Sequence, residues 1–178
     1  MNKSIKVVIV MGSKSDLPVM KTAGVILDQM KIKYETHIVS AHRTPKLLQK
    51  CIAEWEVLGV KIIIAGAGGA AHLPGMLASF SILPVIGVPI KSSAMNGLDA
   101  LLSIAQMPRG VPVATVAVDN STNAALLAAQ ILGTNDDPQG LSIRKKVSQY
   151  KKTMSVKVLR DKNALSSLGV NQFLRKQK

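Results

Sequence analysis

The chain has 178 residues, of which 47% are hydrophobic and 19% are charged, and this composition excludes a protein that is disordered throughout. A single cysteine, Cys51, excludes an internal disulfide framework, and no apolar run reaches the roughly 18 residues that a membrane helix needs. Aromatic residues make up only 3%, which argues against base stacking on aromatic side chains. We therefore expect a single-domain, cytoplasmic protein that has no membrane partner.

The net charge of +13 is distributed unevenly along the chain. Residues 140–178 contain eleven Lys and Arg residues and one acidic residue, Asp161, for a net charge of +10, whereas residues 1–139 carry only +3. A solvated basic helix face with a loose tail explains this asymmetry, and binding to a polyanion is the alternative. We divide the chain into one catalytic α/β domain over residues 1–160 and a basic tail over residues 161–178 that need not be ordered.

Short β-branched runs alternate with longer helical stretches. The predicted strands cover residues 5–11, 34–39, 60–65, 84–88 and 112–118, and the predicted helices cover residues 16–30, 44–58, 71–79, 97–106 and 121–132. The continuously apolar runs Val7-Val8-Ile9-Val10 and Ile62-Ile63-Ile64 are typical of parallel strands with helices on both faces. The alternation predicts right-handed βαβ units in an open, doubly wound parallel sheet.

One more helical pattern follows a turn at residues 135–138. Apolar residues recur in it at helical spacing, namely Ile143, Val147, Tyr150, Met154 and Val158. Because the earlier helices already cover both faces of the predicted sheet, we expect this apolar stripe to pack on a neighbouring subunit. Residues 163–178 are expected to be dispensable for that packing.

Ligands of open α/β sheets bind beyond the carboxyl ends of the strands, so the segments that follow the strands are the candidate sites. The first strand is followed by Gly12-Ser13-Lys14-Ser15-Asp16. A tight turn with two hydroxyls at the start of a helix suits a phosphate group. Ordinary capping of the helix by Ser15 or Asp16 explains the same residues, and both interpretations stay open.

The second predicted strand is followed by Ser40, Ala41, His42 and Arg43. An imidazole that exchanges protons near neutral pH stands here beside a guanidinium that can bind a phosphate, and helix capping does not explain this pair.

The third strand leads into a segment rich in Gly and Ala at residues 65–75, which permits close approach to a flat ligand. The polar loop at residues 89–97 has the length of a cover or a subunit contact. The three histidines lack metal-ligand spacing, so no metal site is expected.

In this order, these tracts resemble the PurE family, the N5-carboxyaminoimidazole ribonucleotide mutases of purine biosynthesis. The tracts that carry the resemblance lie at residues 10–16, 39–45, 65–75, 106–113 and 123–132. The resemblance implies a three-layer α/β/α, flavodoxin-like domain with an added C-terminal helix, assembled as a homo-octamer. It also implies a ribonucleotide substrate and neither a metal nor an organic cofactor.

The implied reaction moves a carboxylate from the exocyclic nitrogen of the aminoimidazole to ring carbon 4. By the resemblance, His42 is the catalytic acid and base. Ser13, Asp16 and Arg43 are implied to bind the substrate, with Asp16 on the ribose hydroxyls and Arg43 at the phosphate end. The other implied binding or pocket-lining residues are Gly12, Ser15, Ser40, Ala41, Gly66, Gly68 and His72.

Three alternatives remain at this stage. The nearest is a carboxylase of the same family that uses aminoimidazole ribonucleotide and free carbon dioxide. A non-catalytic polyanion-binding module would use the basic segment at residues 140–178 but leaves His42 without a role, so a nucleic-acid partner is not the main expectation. A flavodoxin-type electron carrier also fits the predicted fold, but the chain has few aromatic residues to sandwich a flavin.

Overall fold

The computed structural model describes residues 5–175. Five strands alternate with helices along the chain. The strands are β1 (Val7–Met11), β2 (Tyr34–Ile38), β3 (Ile62–Gly68), β4 (Val85–Ile90) and β5 (Ala114–Thr115). The helices are α1 (Leu17–Met30), α2 (Pro45–Val57), α3 (Leu73–Phe80), α4 (Leu98–Ala105), α5 (Ser121–Leu132) and α6 (Pro138–Arg175), and one 3-10 turn (Lys14–Asp16) precedes α1.

The five strands form one parallel sheet in the order β2-β1-β3-β4-β5, which confirms the predicted doubly wound, flavodoxin-like fold. The chain moves from β1 to one edge at β2 and then crosses to β3 on the other side of β1. The direction of winding therefore reverses at β1, and a crevice is expected at the carboxyl end of this strand.

Alternate residues of each central strand point to opposite faces of the sheet, and each face is covered by its own helices. Val7 and Ile9 pack in one layer with residues of α1, α5 and α6, and Val8 and Val10 pack in the other with residues of α2, α3 and α4. No residue of β1 is more than 1% exposed. This burial on both faces explains why β1 and β3 are apolar without interruption.

Two predicted elements differ substantially in length from the observed ones. The fifth strand, predicted over residues 112–118, is a two-residue strand at the sheet edge. Pro112 has no N–H to donate to a ladder, and Val116 makes only one further backbone hydrogen bond, to the carbonyl of Gly87. The segment therefore leaves the sheet soon after it joins it.

The C-terminal helix is the main correction to the sequence analysis. The helix expected to end near residue 159 continues to Arg175, with non-helical backbone only at Gly169. The region assigned to a loose tail is therefore helical through Arg175, and residues 161–168 contain neither proline nor glycine to interrupt the helix. The last three residues of that tail, 176–178, lie outside the described part of the chain.

The apolar stripe of α6 divides into two parts. Ile143 and Val147 are buried against the chain's own core, and Tyr150 packs beside them. The expectation that the whole stripe packs on a neighbouring subunit was wrong for these residues, because α5 and α1 leave a groove that α6 fills. Met154 and Val158, by contrast, are 55% and 67% exposed. Within residues 5–175, α6 and the other helices are too short or too polar to cross a membrane.

Candidate functional site

A cavity of about 600 Å³ lies at the carboxyl ends of β1, β2, β3 and β4, where the winding of the sheet reverses. This volume lies within the range of small-molecule sites. Ten of the eleven residues predicted for the site line it, namely Gly12, Ser13, Ser15, Asp16, Ser40, Ala41, His42, Arg43, Gly68 and His72. The parallel strands bring together lining residues that are up to 81 positions apart in the sequence, from Gly12 to Ser93.

The segment after β1 forms a capping box. The hydroxyl of Ser13 accepts a hydrogen bond from the N–H of Ser15, and the carboxylate of Asp16 accepts one from the N–H of Ser13 at 3.2 Å. The hydroxyl of Ser15 donates to the other oxygen of Asp16 at 3.1 Å. Capping therefore differs from the interpretation that named Ser15 or Asp16: Ser13 caps the 3-10 turn, and Asp16 stands before α1 without a side-chain bond to the N–H groups of that helix. The carboxylate of Asp16 keeps acceptor capacity for a ligand.

Arg43 is held at the cavity wall by its own loop and by the loop after β1. Its Nη2 donates to the carbonyl of Gly12 at 3.0 Å, and its Nε donates to the hydroxyl of Ser40 at 3.2 Å. Ser40 is fixed in turn by Thr44, whose hydroxyl accepts from the Ser40 N–H at 3.0 Å. A guanidinium carries five N–H groups, so three remain for a ligand after these two bonds.

His42 and His72 meet inside the cavity. Nε2 of His42 lies 2.8 Å from Nδ1 of His72, and the two rings stand nearly perpendicular at 83°. His42 comes from the loop after β2, whereas His72 lies at the start of α3 after β3. The sequence indicated each histidine separately but not the hydrogen bond between them.

Gly66, which was predicted to line the pocket, does not lie on the cavity wall. It is buried in β3, and a Cβ at this position would collide with the sulfur of Met20 and would meet Cδ1 of Ile90 at 3.0 Å. A side chain here would have to displace Met20, which is fully buried, so glycine fits the close packing between the sheet and α1. At Gly68, which does line the cavity, a Cβ would lie 3.1 Å from the carbonyl oxygen of Ile90.

The loop after β4 closes one side of the cavity with Lys91, Ser92 and Ser93, which the sequence analysis placed only in a polar covering loop. The N–H of Lys91 donates to the carboxylate of Asp119 at 2.9 Å, and the hydroxyl of Ser92 donates to that of Asp99. These two carboxylates fix the loop where it leaves the sheet. Lys91 thus adds a second cationic side chain to a wall that already holds Arg43.

The surrounding protein shifts the pKa of Asp16, one of the residues that line the cavity. Burial raises the pKa of its carboxyl above the ordinary value of 3.8, although hydrogen bonds from Ser15, Ser13 and Gly12 and the charge of Arg43 oppose the shift. Only 9% of the residue is exposed. Burial therefore disfavours the charged form of Asp16 in the folded protein. A buried carboxyl group next to Arg43 suits a role in binding a ligand.

Two other residues considered from the sequence lie outside the cavity. His37 in β2 contacts Glu35 at 3.2 Å and packs against Trp55. Cys51 is buried in α2, and burial raises the pKa of its thiol. Along residues 5–175, no three His, Cys, Asp or Glu side chains are grouped as metal ligands.

Residues 6–157 match the family described as AIR carboxylase. The chain is 54% identical to an N5-carboxyaminoimidazole ribonucleotide mutase of Pyrococcus horikoshii, over 93% of this chain and 92% of that protein. It is also 51% identical to a chloroplastic phosphoribosylaminoimidazole carboxylase of Vigna aconitifolia, over 93% of this chain but only 29% of the plant protein. The solved structure of Treponema denticola PurE is similar, with a TM-score of 0.81 and 32% identity over 92% of this chain and 98% of that chain.

Replacement of Asp16 by Asn should stabilise the fold at neutral pH. A raised pKa in the folded state means that Asp16 favours the fold only when protonated, so its contribution is lost as pH rises through that pKa. The Asp16→Asn variant should therefore have a higher thermal midpoint than the parent at pH 7, and the difference should shrink as the pH falls towards 3.8. Thermal unfolding at pH 7 and pH 4 measures both effects.

Asp161→Asn is the matched control for this experiment, because it removes a negative charge from a partly exposed site of the same basic protein. It should show no comparable gain. A lower midpoint for Asp16→Asn than for the parent at pH 7 would contradict the proposed cost of the buried carboxylate.

Proposed function

Because the chain belongs to the AIR carboxylase family, we propose that the cavity at the end of β1 is the place of its reaction, the conversion of N5-carboxyaminoimidazole ribonucleotide into 4-carboxy-5-aminoimidazole ribonucleotide. The chain is a mutase of purine biosynthesis. The observation that carries this conclusion is 54% identity over almost the full length of mutases from two organisms, Pyrococcus horikoshii and Thermotoga maritima. The grouping of His42, Asp16 and Arg43 around one cavity supports the proposed place of the reaction.

His42 is the proposed acid and base of the reaction. In the first half, the carbon–nitrogen bond of the carbamate breaks, carbon dioxide leaves, and the imidazolium of His42 gives its proton to the exocyclic nitrogen. In the second half, carbon 4 of the ring attacks carbon dioxide and loses its proton to the neutral imidazole. The protein ends with the same number of protons as it started with, so one histidine serves both steps.

The phosphate and ribose of the substrate are proposed to bind between the loops after β1 and β2. The three free N–H groups of Arg43, with the hydroxyls of Ser13 and Ser15, suit a phosphate. The remaining acceptor capacity of the Asp16 carboxylate suits the ribose hydroxyls. These contacts lie away from the reacting carboxylate, so their binding energy positions the aminoimidazole ring next to His42.

Carbon dioxide has to stay close to the ring between the two half-reactions. Four of the residues that line the cavity have no side chain larger than a methyl group, namely Ala41, Ala67, Gly68 and Ala70. Small residues leave space for a three-atom molecule beside a flat ring, and exclusion of water protects the intermediate state. We propose that carbon dioxide is held beside these small residues until it reacts with carbon 4 of the ring.

The alternative is a carboxylase that takes free carbon dioxide. The Vigna aconitifolia protein, of which this chain covers only 29%, is named a phosphoribosylaminoimidazole carboxylase. The two activities are separated by an assay of the purified chain without ATP. One reaction contains N5-carboxyaminoimidazole ribonucleotide, and the other contains aminoimidazole ribonucleotide with bicarbonate. Faster product formation from the first supports the mutase, and product formation from the second alone would overturn it.

The catalytic proposal for His42 is tested by His42→Asn. Asn retains much of the shape and polarity of the imidazole but cannot exchange a proton, so we expect substrate affinity within about tenfold of the parent and a kcat at least about 100-fold lower. Steady-state kinetics with a separate binding titration give both values. His37→Asn is the control, because His37 lies outside the cavity and its loss should leave kcat within about twofold of the parent. A His42→Asn variant with near-normal turnover would refute the assignment.

Arg43→Ala should act mainly on binding. Loss of a charge-assisted contact to the phosphate corresponds to about 1.5–3 kcal/mol, or a KM raised by about 10-fold to 150-fold. Lys50→Ala removes an exposed cation from α2 outside the cavity and serves as the control for a general change in charge. An unchanged KM for Arg43→Ala would show that the guanidinium is not a substrate contact.

A homo-octameric assembly, as implied by the resemblance, is the second part of the proposal. The outer half of α6 supports it, because Met154 and Val158 continue the buried stripe of this helix but are exposed in the single chain. Val57 and Ile82 are further large apolar side chains, 89% and 95% exposed, that an assembly would cover. The cytoplasmic location expected from the sequence stays a prediction.

The assembly is tested by two truncated chains. A chain that ends at residue 152 keeps Ile143, Val147 and Tyr150 in the core but lacks Met154 and Val158, so it should fold yet sediment as a smaller species. A chain that ends at residue 162 should remain octameric. Analytical ultracentrifugation gives both masses. If the chain ending at residue 152 forms an equally stable octamer, α6 does not hold the assembly, and its basic face becomes the better candidate for a function.

A further inference from the structure

The position of His72 in the cavity suggests a role in addition to the proposed contact with the substrate. Its ring accepts or donates the 2.8 Å hydrogen bond to His42, the proposed acid and base. Its backbone is fixed on both sides, because its N–H donates to the carbonyl of Ala70 and its carbonyl accepts from the N–H of Met76. The ring is therefore presented to His42 from the rigid start of α3.

The protonation state that the reaction needs determines the direction of this hydrogen bond. When His42 is an imidazolium, both of its ring nitrogens carry hydrogen. Its Nε2 must then donate, and Nδ1 of His72 must accept, which places the hydrogen of a neutral His72 on its own Nε2. Nδ1 of His42 makes no hydrogen bond within residues 5–175 and is left to meet a ligand.

The same bond fixes the state of His42 after it has given up its proton. If the proton leaves from Nδ1, Nε2–H still donates to His72, and the neutral ring is held in the tautomer whose lone pair lies on Nδ1. That atom can then take the proton from carbon 4 without rotation of the ring. A neutral acceptor also adds no negative charge behind His42.

We propose that His72 is a positioning residue that keeps Nδ1 of His42 as the proton-carrying atom in both half-reactions. This inference rests on the proposed function, because it assumes that His42 exchanges a proton with the substrate. In this role, Nδ1 of His72 accepts a hydrogen bond from Nε2 of His42, and His72 itself transfers no proton. An acceptor atom at the same place should therefore replace the imidazole.

Two substitutions at His72 form a matched pair for the test. Asn and Leu have the same branched shape, but only Asn carries an oxygen where the imidazole has Nδ1. His72→Leu should lower kcat about 30-fold with KM changed less than about threefold, since only the tautomer and orientation of His42 are affected. His72→Asn should recover at least about tenfold of that loss. Steady-state kinetics with N5-carboxyaminoimidazole ribonucleotide measure these values.

The parent chain, assayed in parallel, separates failure of this inference from failure of the proposed function. If the parent does not convert the substrate, the proposed function fails first. If the parent is active, an unchanged kcat in His72→Leu overturns the inference. A loss in His72→Asn as large as in His72→Leu also overturns it, because His72 would then be needed for its own proton. Circular dichroism identifies a misfolded variant, and His72→Ala then replaces His72→Leu in the comparison.

Discussion

Parallel pairing of β1 with β2 on one side and β3 on the other is the constraint on which the site depends. The register sets Met11 opposite Ile38 and Gly66, so the three strands end at nearly the same level. Burial of β1 on both faces leaves its carboxyl end as the place where this part of the sheet meets solvent. The loops with Asp16, His42 and His72 converge there because each follows one of these strands.

Hydrogen bonds to the backbone then hold these loops in place around the cavity. Arg43 reaches across from the loop after β2 to the carbonyl of Gly12, and the box formed by Ser13 and Asp16 fixes the first loop. This arrangement buries the carboxyl group of Asp16, and burial disfavours its charged form. The stability of the fold and the proposed role of Asp16 in binding the substrate thus make opposite demands on this carboxylate.

The sequence predicted the architecture well because its apolar pattern has few interpretations. Continuous β-branched runs between helical stretches permit little other than a parallel sheet, and the predicted bounds of α5 agree with the observed ones at both ends. His42 and Arg43 could be identified because helix capping does not explain them. The length of α6 was not predicted, because the regular apolar stripe ends at Val158 and is followed by the polar residues 160–163, although the helix continues through them.

The details that the sequence did not yield are those that depend on packing across the fold. Gly66 was assigned to the pocket by resemblance, but the side chain of Met20, 46 residues earlier, makes it a packing glycine. The bond between His42 and His72 needs the strand order and the ring orientations together, and no local pattern encodes either. Lys91 and Asp119 likewise meet only because β4 and the segment after β5 are neighbours in the sheet.

Retention of the migrating carboxylate is the most direct test of the central claim that one closed cavity carries both half-reactions. Substrate labelled with carbon-13 in the carboxylate is converted by the purified chain in unlabelled bicarbonate, and the label in the product is measured by mass spectrometry. The account predicts that most product molecules keep the label, because carbon dioxide recombines before it leaves the cavity. Product whose carboxylate has the same isotopic composition as the bicarbonate would contradict this prediction.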